Sequence, residues 1–249
     1  MTRLYCPLPV VLNEVFALPS AAARHAQVLR LQPGDLLQLF DGAGGAWTGE
    51  VVAMGRQDVQ ARALAFRTAQ ALPARSVTLA VGMPANERMD WLVEKATELG
   101  VTRLVPLVTE RTVVRLQGER ASKRVAHWQA IAAGACEQSG RDVLPVIEPV
   151  QPLTTWLQTQ VRQDDRFRMC LSLAPDALDA ATLTWSKAQA WCAALGPEGG
   201  WSANEEVALQ RHGFTPVSLG PATLRSETAA LTVLARWADA MPSTSVPGQ

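Results

Sequence analysis

The first quarter of the chain carries the pattern of a small β-rich unit with one short helix. An alanine-rich stretch at 20–29 predicts the helix, for which Ser20 is a suitable N-cap. Three strand-like runs follow at 36–40, 47–54 and 59–66, and the intervening segments 41–45 and 55–58 are typical of hairpin loops. Closely spaced strands joined by tight turns predict a small barrel or sheet.

From residue 77 onward, apolar strand-like runs alternate with helix-like segments. The predicted strands lie at 77–81, 104–108, 169–173 and 191–195, and the predicted helices at 86–99, 119–138, 202–211 and 227–241. Gly100 follows the first of these helices at the position that favours glycine beyond a helix end. The alternation predicts an α/β domain with a largely parallel sheet, in which ligands bind beyond the carboxyl ends of the strands.

The boundary between the two patterns falls at residues 68–74, which contain Pro73. We therefore divide the chain into a first domain of residues 1–72 and a second domain of residues 73–249. The tail after residue 241 is rich in proline and serine, and we expect it to be frayed.

Composition narrows the class of protein. A hydrophobic content of 48% in 249 residues is ample for a buried core, and the formal net charge of zero argues against a binder that relies on overall basic charge. The amino terminus lacks a secretory pattern, and no apolar run approaches the about 18 residues of a membrane span, so we expect a cytoplasmic protein with no membrane partner. The cysteines are far apart, which predicts reduced core thiols and no metal site.

The strongest local signal is a glycine-rich loop between a predicted strand and a predicted helix. The strand at 191–195 runs into Gly-Pro-Glu-Gly-Gly at 196–200, and Ser202 with Glu205 forms the pattern of a capping box. The glycines let a ligand approach the backbone N–H groups closely. An ordinary strand-to-helix turn explains the loop equally well, and a dinucleotide site is less favoured because the G-x-G-x-x-G spacing is missing.

A second signal lies 20 residues further on, where an apolar run at 217–219 meets Gly220-Pro221 ahead of the last predicted helix. Arg225 and Glu227 follow this turn at the sheet edge that the glycine-rich loop should also reach. Taken singly, the two residues are more often a structural ion pair or a helix cap.

Together these segments resemble the SPOUT superfamily of RNA methyltransferases, and most closely the bacterial small-subunit ribosomal RNA uridine N3-methyltransferase family. The likeness extends in order over nearly the whole chain, and its paired Gly-Pro-Glu-Gly-Gly and Leu-Arg-Ser-Glu-Thr-Ala motifs are specific. It also includes the stretches Arg24-His25, Val28-Leu29-Arg30, Pro33-Gly34-Asp35, 94–101, Glu110-Arg111 and 136–141. Ser226 stands where threonine is common in the family, which keeps the hydroxyl.

The resemblance implies a PUA-like β-barrel for RNA binding at the amino terminus and, behind it, an α/β methyltransferase domain with a trefoil knot. It also implies a homodimer and S-adenosylmethionine as the cofactor. The positions that match the family's cofactor site are Leu173, Leu195, Gly196, Pro197, Glu198, Gly199, Gly200, Leu219, Gly220, Leu224, Arg225, Ser226 and Thr228.

The implied reaction is methylation of N3 of a specific uridine in 16S ribosomal RNA, within the small ribosomal subunit. Uridine N3 is a poor nucleophile until its proton leaves, so Arg225 is a candidate for stabilising negative charge on a uracil oxygen, and Glu227 is a candidate base. A helix-capping role for Glu227 is equally consistent with the sequence. The target must be unpaired or turned out of its stack, because N3 lies on the Watson–Crick edge.

A local basic run offers a surface for RNA. Between positions 103 and 124 there are six basic and two acidic residues, a local excess of four positive charges. A solvated surface is the alternative explanation for such a run. The residues that we predict to contact RNA are Arg24, Arg30, Arg111, Arg115 and Arg141.

Three other functions stay open at this point. A related SPOUT enzyme could methylate another RNA base, and a non-catalytic RNA-binding protein could use the barrel and the basic run alone. A nucleotide-dependent oxidoreductase is disfavoured, because the chain lacks a phosphate-binding fingerprint and an acidic ribose partner.

Overall fold

A computed structural model describes residues 1–56, 58–67, 76–85, 87–160, 166–185 and 190–239. These residues group into two compact units, of which the first takes described residues of 1–74 and 132–144 and the second those of 75–131 and 145–249. The predicted interdomain segment at 68–74 and the tail after residue 241 lie outside the described residues. None of the helices in the described ranges has the length and apolar character that crossing a bilayer requires.

The first unit is a five-stranded sheet with one helix packed against it, in the part of the chain that is described. Its elements are β1 (Thr2–Tyr5), β2 (Val15–Ala17), α1 (Ser20–Val28), β3 (Leu36–Phe40), β4 (Ala46–Met54) and β5 (Val59–Arg67). The strand order is β1-β3-β4-β5-β2. Antiparallel pairing of β3 with β4 and of β4 with β5 confirms the two predicted hairpins. The alanines of α1 pack on leucines and valines of the sheet, which closes the core of this unit.

The start of α1 differs from the prediction. Pro19 is the N-cap, with an extended backbone at φ −53° and ψ 147°, and Ser20 is already the first helical residue. No side chain caps this end of the helix. The assignment of Ser20 as the N-cap was therefore wrong, because the change from extended to helical backbone takes place one residue earlier.

The second unit is an α/β fold. Its elements up to α4 are β6 (Val77–Gly82), α2 (Glu87–Glu98), β7 (Arg103–Val108), α3 (Gly118–Ser139, whose last turns group with the first unit), β8 (Val146–Ile147), β9 (Gln151–Pro152) and α4 (Leu153–Gln158). The elements that follow are β10 (Phe167–Leu171), β11 (Leu178–Asp179), a 3-10 helix (Ala180–Thr182), β12 (Trp191–Leu195), α5 (Ala203–Arg211), β13 (Thr215–Ser218) and α6 (Ser226–Asp239). Gly100 has a φ of +92°, as predicted for the position after α2.

The sheet of this unit is parallel throughout its described pairs. The strand order is β11-β13-β10-β12-β6-β7-β8, and β9 also pairs with β7. Every residue of β6 and of β12 is buried, as expected for central parallel strands that are covered on both faces. The predicted α/β class with a mostly parallel sheet is thus confirmed, and the trefoil knot stays a prediction.

This topology decides where a ligand site can form. Strands β10, β12, β6 and β13 run in the same direction, so their carboxyl ends meet at one edge of the sheet. The segments that follow Leu171, Leu195 and Ser218 must therefore converge there. The two strongest signals in the sequence lie in the segments after Leu195 and Ser218, and Leu173 lies in the segment after Leu171.

Candidate active site

A cavity of about 530 Å³ opens at this edge of the sheet, between the segments that follow β10, β12 and β13. We call it the cleft. The predicted cofactor residues that line it are Leu173, Leu195, Gly196, Pro197, Glu198, Gly199, Gly200, Leu219, Gly220, Leu224, Arg225 and Ser226. Thr228 is exposed and is not among the lining residues. It follows Ser226 by two residues, which on a helix places it on a different face.

The capping box at the start of α5 fixes the end of the glycine-rich loop. The Glu205 amide donates to Ser202 Oγ at 3.2 Å, and the Ser202 amide donates to Glu205 Oε2 at 2.9 Å, which confirms the predicted motif. Glu205 Oε1 accepts a second hydrogen bond, from the Glu110 amide at 2.8 Å. Because Glu205 is buried, its carboxylate ties the segment after β7 firmly to the start of α5.

Two glycines are required around this loop, Gly82 by a close approach and Gly200 by its left-handed backbone conformation. A Cβ atom on Gly82, the last residue of β6, would lie 2.6 Å from Pro197 Cδ and 2.8 Å from Pro197 N. Gly200 has a φ of +67° and donates its amide to the Pro197 carbonyl at 2.8 Å, which closes a tight turn. The sequence indicated the glycines of the loop but not the role of Gly82, which depends on a contact between distant segments.

Arg111 forms part of the cleft wall. Its Nη1 donates to the Gly199 carbonyl at 2.7 Å, and its aliphatic stem lies against the space that a side chain at position 199 would need. We predicted this residue as an RNA contact from its place in the basic run. The structure places it among the cleft-lining residues, beside the backbone of the glycine-rich loop.

Glu198 is held by two donors from the segment that follows β6. The Ala85 amide donates to Glu198 Oε1 at 3.0 Å, and Arg88 Nη1 donates to the same oxygen at 3.1 Å. Burial by itself raises the pKa of the Glu198 carboxyl, but these hydrogen bonds and the Arg88 charge outweigh it and hold the pKa below its usual range. Glu198 is therefore ionised at neutral pH.

The two predicted catalytic residues have different surroundings. Arg225 is exposed and lines the cleft, and its guanidinium has no hydrogen bond or ion pair with the described residues. Glu227 is buried, accepts from Ser226 Oγ at 3.4 Å and lies 4.0 Å from Arg88 Nε. Glu227 is not among the lining residues, so the structure brings Arg225 but not Glu227 into the cleft.

Sequence reasoning missed Arg88, Glu206 and Ser172, all of which line the cleft. Arg88 lies between Glu198 and Glu227, and Ser172 Oγ donates to Glu206 Oε1 at 3.0 Å. Each contact joins residues that are at least 34 positions apart. No local pattern marks such pairs, so the sequence contained no signal for them.

The other predicted RNA contacts are scattered. Arg24 and Arg30 are exposed in the first unit, and Arg30 has the left-handed φ of +56° just after α1. Arg115 is exposed in the second unit and makes no hydrogen bond or ion pair with described residues. Arg141 is partly buried, and this burial lowers the pKa of its guanidinium.

The basic run is less positive than its composition indicates. Arg103 pairs with Glu148, Lys123 pairs with Glu119 at 2.8 Å, and Arg124 lies 3.7 Å from Asp90. Arg103 also begins β7, at the edge of the sheet opposite to the cleft. The sequence counts six cations in this run, but fewer than six lie near the cleft edge without a described acidic partner.

Comparison with known proteins identifies the family. The sequence model described as "RNA methyltransferase domain" matches residues 70–238, and the one described as "RNA methyltransferase PUA domain" matches residues 18–64. A relative from Synechocystis, named ribosomal RNA small subunit methyltransferase E, is 32% identical over 94% of this chain and 76% of its own length. A relative of the same name from Bacillus subtilis is 27% identical over 88% of each chain.

Solved structures give the same result. The chain is similar to the ribosomal RNA small subunit methyltransferase E of Neisseria gonorrhoeae bound to S-adenosyl methionine, with a TM-score of 0.87, 35% identity and coverage of 94% and 96% of the two chains. It is also similar to a methyltransferase of Legionella pneumophila in complex with the same cofactor. That match has a TM-score of 0.88, 30% identity and coverage of 96% and 97%.

Proposed function

The chain belongs to the ribosomal RNA small subunit methyltransferase E family, and from this we propose that it transfers the methyl group of S-adenosylmethionine to N3 of a uridine in 16S ribosomal RNA. The observation that carries the proposal is the cleft. Two loops that are 20 residues apart in the sequence, after β12 and after β13, line one cavity together with Leu173. Relatives of known structure, with 30% and 35% identity, bind S-adenosylmethionine.

The residues of the cleft fit this cofactor. Its volume of about 530 Å³ lies within the range of small-molecule sites, roughly 300–1,000 Å³. The glycines of the 196–200 loop leave backbone groups open to a ligand, and Leu171, Leu173, Val217 and Leu219 provide an apolar surface for an adenine ring. When bound, the cofactor supplies an electrophilic methyl group on a positively charged sulfur.

Arg225 is the residue that we assign to the chemistry. Loss of the N3 proton places negative charge on the uracil ring and its carbonyl oxygens, and a guanidinium at the cleft can stabilise that charge. Arg225 is suited to this because no described carboxylate neutralises it. Glu227 lies beside Arg88 and not in the cleft, so we assign it to holding Arg88 in place. We assign no described side chain as the acceptor of the uridine N3 proton.

RNA binding is assigned to the PUA-like unit and to exposed cations of both units. Arg24, Arg30 and Arg115 are exposed and suited to phosphate contact, whereas Arg111 is committed to the glycine-rich loop. The trefoil knot, the homodimer, the small ribosomal subunit as substrate and a cytoplasmic location are parts of the same proposal. They rest on the family resemblance.

The test is a methylation assay on small ribosomal subunits that lack the modification. We expect the protein to incorporate label from methyl-labelled S-adenosylmethionine and mass spectrometry to locate it as 3-methyluridine in 16S RNA. Naked 16S RNA serves as the parallel substrate. A methylated guanine would assign the chain to another branch of the superfamily, and absence of incorporation from both substrates would refute the proposal.

A thermal-shift series separates the enzyme from a non-catalytic RNA-binding protein. S-adenosylhomocysteine should raise the melting temperature, because a ligand that binds only the folded state stabilises it, and NAD should not.

A further inference from the structure

Glu206 is an acidic residue of the cleft to which the proposed function gives no role. It is the fourth residue of α5 and is partly buried. The other carboxylate that lines the cleft, Glu198, is paired with Arg88, whereas Glu206 forms no ion pair among the residues that the structure describes. A carboxylate that faces a cavity and has no cationic partner can accept hydrogen bonds from a ligand in that cavity.

The orientation of Glu206 is set by a buried serine. Ser172 Oγ donates its proton to Glu206 Oε1 at 3.0 Å and accepts from the Ala174 amide at 3.1 Å. The Ser172 amide in turn donates to the Val217 carbonyl at 3.0 Å, which anchors this residue between β10 and β13. Glu206 Oε2 has no hydrogen bond within the described ranges, so one carboxylate oxygen is held in place and the other is available to a ligand.

The strand end beside which Glu206 lies indicates which part of the cofactor it faces. Ser172 follows β10, whereas Arg88 follows β6, and β12 lies between these strands. Two strand spacings separate the two places, on the order of 10 Å. The start of α6, directly after Arg225, also lies on the β6 side, because Glu227 Oε1 is 4.0 Å from Arg88 Nε. The cleft therefore has an arginine side and a carboxylate side.

The methionine end of the cofactor suits the arginine side. Its α-carboxylate suits Arg111, which lines the cleft on that side and forms no ion pair with the described residues, and its ammonium group is on the same carbon and must follow. The nucleoside end then faces Glu206, next to the apolar surface of Leu171 and Leu173. The donors at that end are the adenine amino group and the vicinal ribose hydroxyls, and a carboxylate is the acceptor that binds ribose hydroxyls in dinucleotide sites.

We propose that Glu206 recognises the ribose hydroxyls of S-adenosylmethionine and that Ser172 is its positioning residue. The assignment rests on the proposed function and adds to it a determinant of ligand specificity. It predicts that the protein discriminates against cofactor analogues that lack a ribose hydroxyl.

Calorimetry with non-reactive ligands tests the assignment. S-adenosylhomocysteine and its 2′-deoxy and 3′-deoxy analogues would be titrated into the wild-type protein, Glu206→Ala and Ser172→Ala. Because the hydrogen bond is made to a charged group, we expect Glu206→Ala to weaken binding of the parent ligand about tenfold to a hundredfold. At least one deoxy analogue should bind the wild type more weakly by a similar factor and lose little further affinity in Glu206→Ala. Ser172→Ala should show a smaller loss in the same direction.

Glu119→Gln is the matched control, because Glu119 is exposed on α3 and does not line the cleft. It should bind all three ligands as the wild type does. If Glu206→Ala weakens the parent and both deoxy ligands by the same factor, the ribose assignment is wrong. S-adenosylmethionine is titrated as a fourth ligand, and a loss in Glu206→Ala that is greater for it than for S-adenosylhomocysteine would assign Glu206 to the sulfonium and also overturn the proposal. Failure of the wild type to bind S-adenosylhomocysteine would instead refute the proposed function itself.

Discussion

Arg225 is the cleft side chain whose removal should separate catalysis from folding. It is exposed and makes no side-chain hydrogen bond or ion pair with the described residues, so its replacement leaves no described carboxylate unpaired. We expect Arg225→Ala to lower the single-turnover rate of methyl transfer by about 10²–10³, as removal of a donor to a developing oxyanion does. Its melting temperature and its affinity for S-adenosylhomocysteine should change little.

Arg236→Ala provides the control for charge. Arg236 is exposed in the last turn of the same helix, so this variant removes an equal charge away from the cleft. Its transfer rate should match that of the wild type. A wild-type rate in Arg225→Ala would remove the catalytic role, whereas a lost rate together with a large loss of cofactor affinity would assign Arg225 to binding.

At the scale of single residues, the sequence predicted those parts of the cleft that lie in contiguous motifs. Gly196 to Gly200 and Leu224 to Ser226 line it as expected, because each stretch follows a strand that ends at the same edge of the sheet. Arg88 and Glu206 could not be found in this way. Arg88 meets Glu198 across 110 positions of sequence, and only the completed fold brings the two together.

At the scale of elements, β6 contacts the glycine-rich loop, and adding one methyl group at Gly82 tests whether this contact fixes the loop. The added Cβ in Gly82→Ala would lie within 3 Å of Pro197 Cδ and N, and neither a ring nor a backbone moves as easily as a side-chain tip. We expect the loop to shift, with a destabilisation of about 1–3 kcal/mol in chemical denaturation. Affinity for S-adenosylhomocysteine should fall at least about tenfold, because the displaced loop lines the cleft.

Gly134→Ala is the control for Gly82→Ala, because it makes the same change inside a helix and not at a contact between elements. Gly134 is an exposed residue inside α3, and an added Cβ there would have no neighbour within 4 Å. Alanine is more favourable than glycine in a helix interior, so the unfolding free energy of this variant should rise by about 0.5–1 kcal/mol. Its ligand affinity should be unchanged. Wild-type affinity in Gly82→Ala would show that the contact with Pro197 does not constrain the loop.

The long elements were predictable because burial repeats along them. The strand at Trp191–Leu195 has the predicted bounds, and α5 starts where Ser202 and Glu205 indicate. The elements that were not predicted are short or peripheral: β1, β2, β8, β9, β11, α4 and the 3-10 helix, of two to six residues. The missed strands have two to four residues and the missed helices three and six, fewer than two helical turns, which is too short for the pattern to show.

At the scale of the whole molecule, the alternation of strands and helices predicts a parallel sheet but not the order of its strands. Nothing local specifies that β10 pairs with both β12 and β13, or that β12 pairs with β6, 114 positions earlier at Trp191 and Val77. The neutral net charge likewise does not reveal which cations are paired. The sequence does not distinguish Arg103 and Lys123 from Arg115 as surface cations, yet only the first two of these three have acidic partners among the described residues.

Buried thiols in both units couple global stability to alkaline pH. Burial raises the pKa of the Cys136 thiol in the first unit from 9.0 to about 11, and that of the Cys170 thiol in the second unit to about 12. In the unfolded chain these thiols ionise near pH 9, while in the folded protein they stay protonated. Unfolding therefore releases protons above about pH 9, and the unfolding free energy falls as pH rises from there towards 11 or 12. The full slope is about 1.4 kcal/mol per pH unit for each thiol.

Urea denaturation between pH 7 and pH 10.5 measures this slope, and Cys136→Ala isolates one thiol from the lysines and the tyrosine that titrate in the same range. Alanine keeps the site apolar and removes the proton, so the variant will be less stable at pH 7 because of the lost volume. The difference in stability between wild type and variant should nevertheless shrink as pH rises above 9, since only the wild type loses the contribution of the protonated thiol. A constant difference across the whole range would mean that Cys136 ionises equally in the folded and unfolded chains, and its buried position in the first unit would then be wrong.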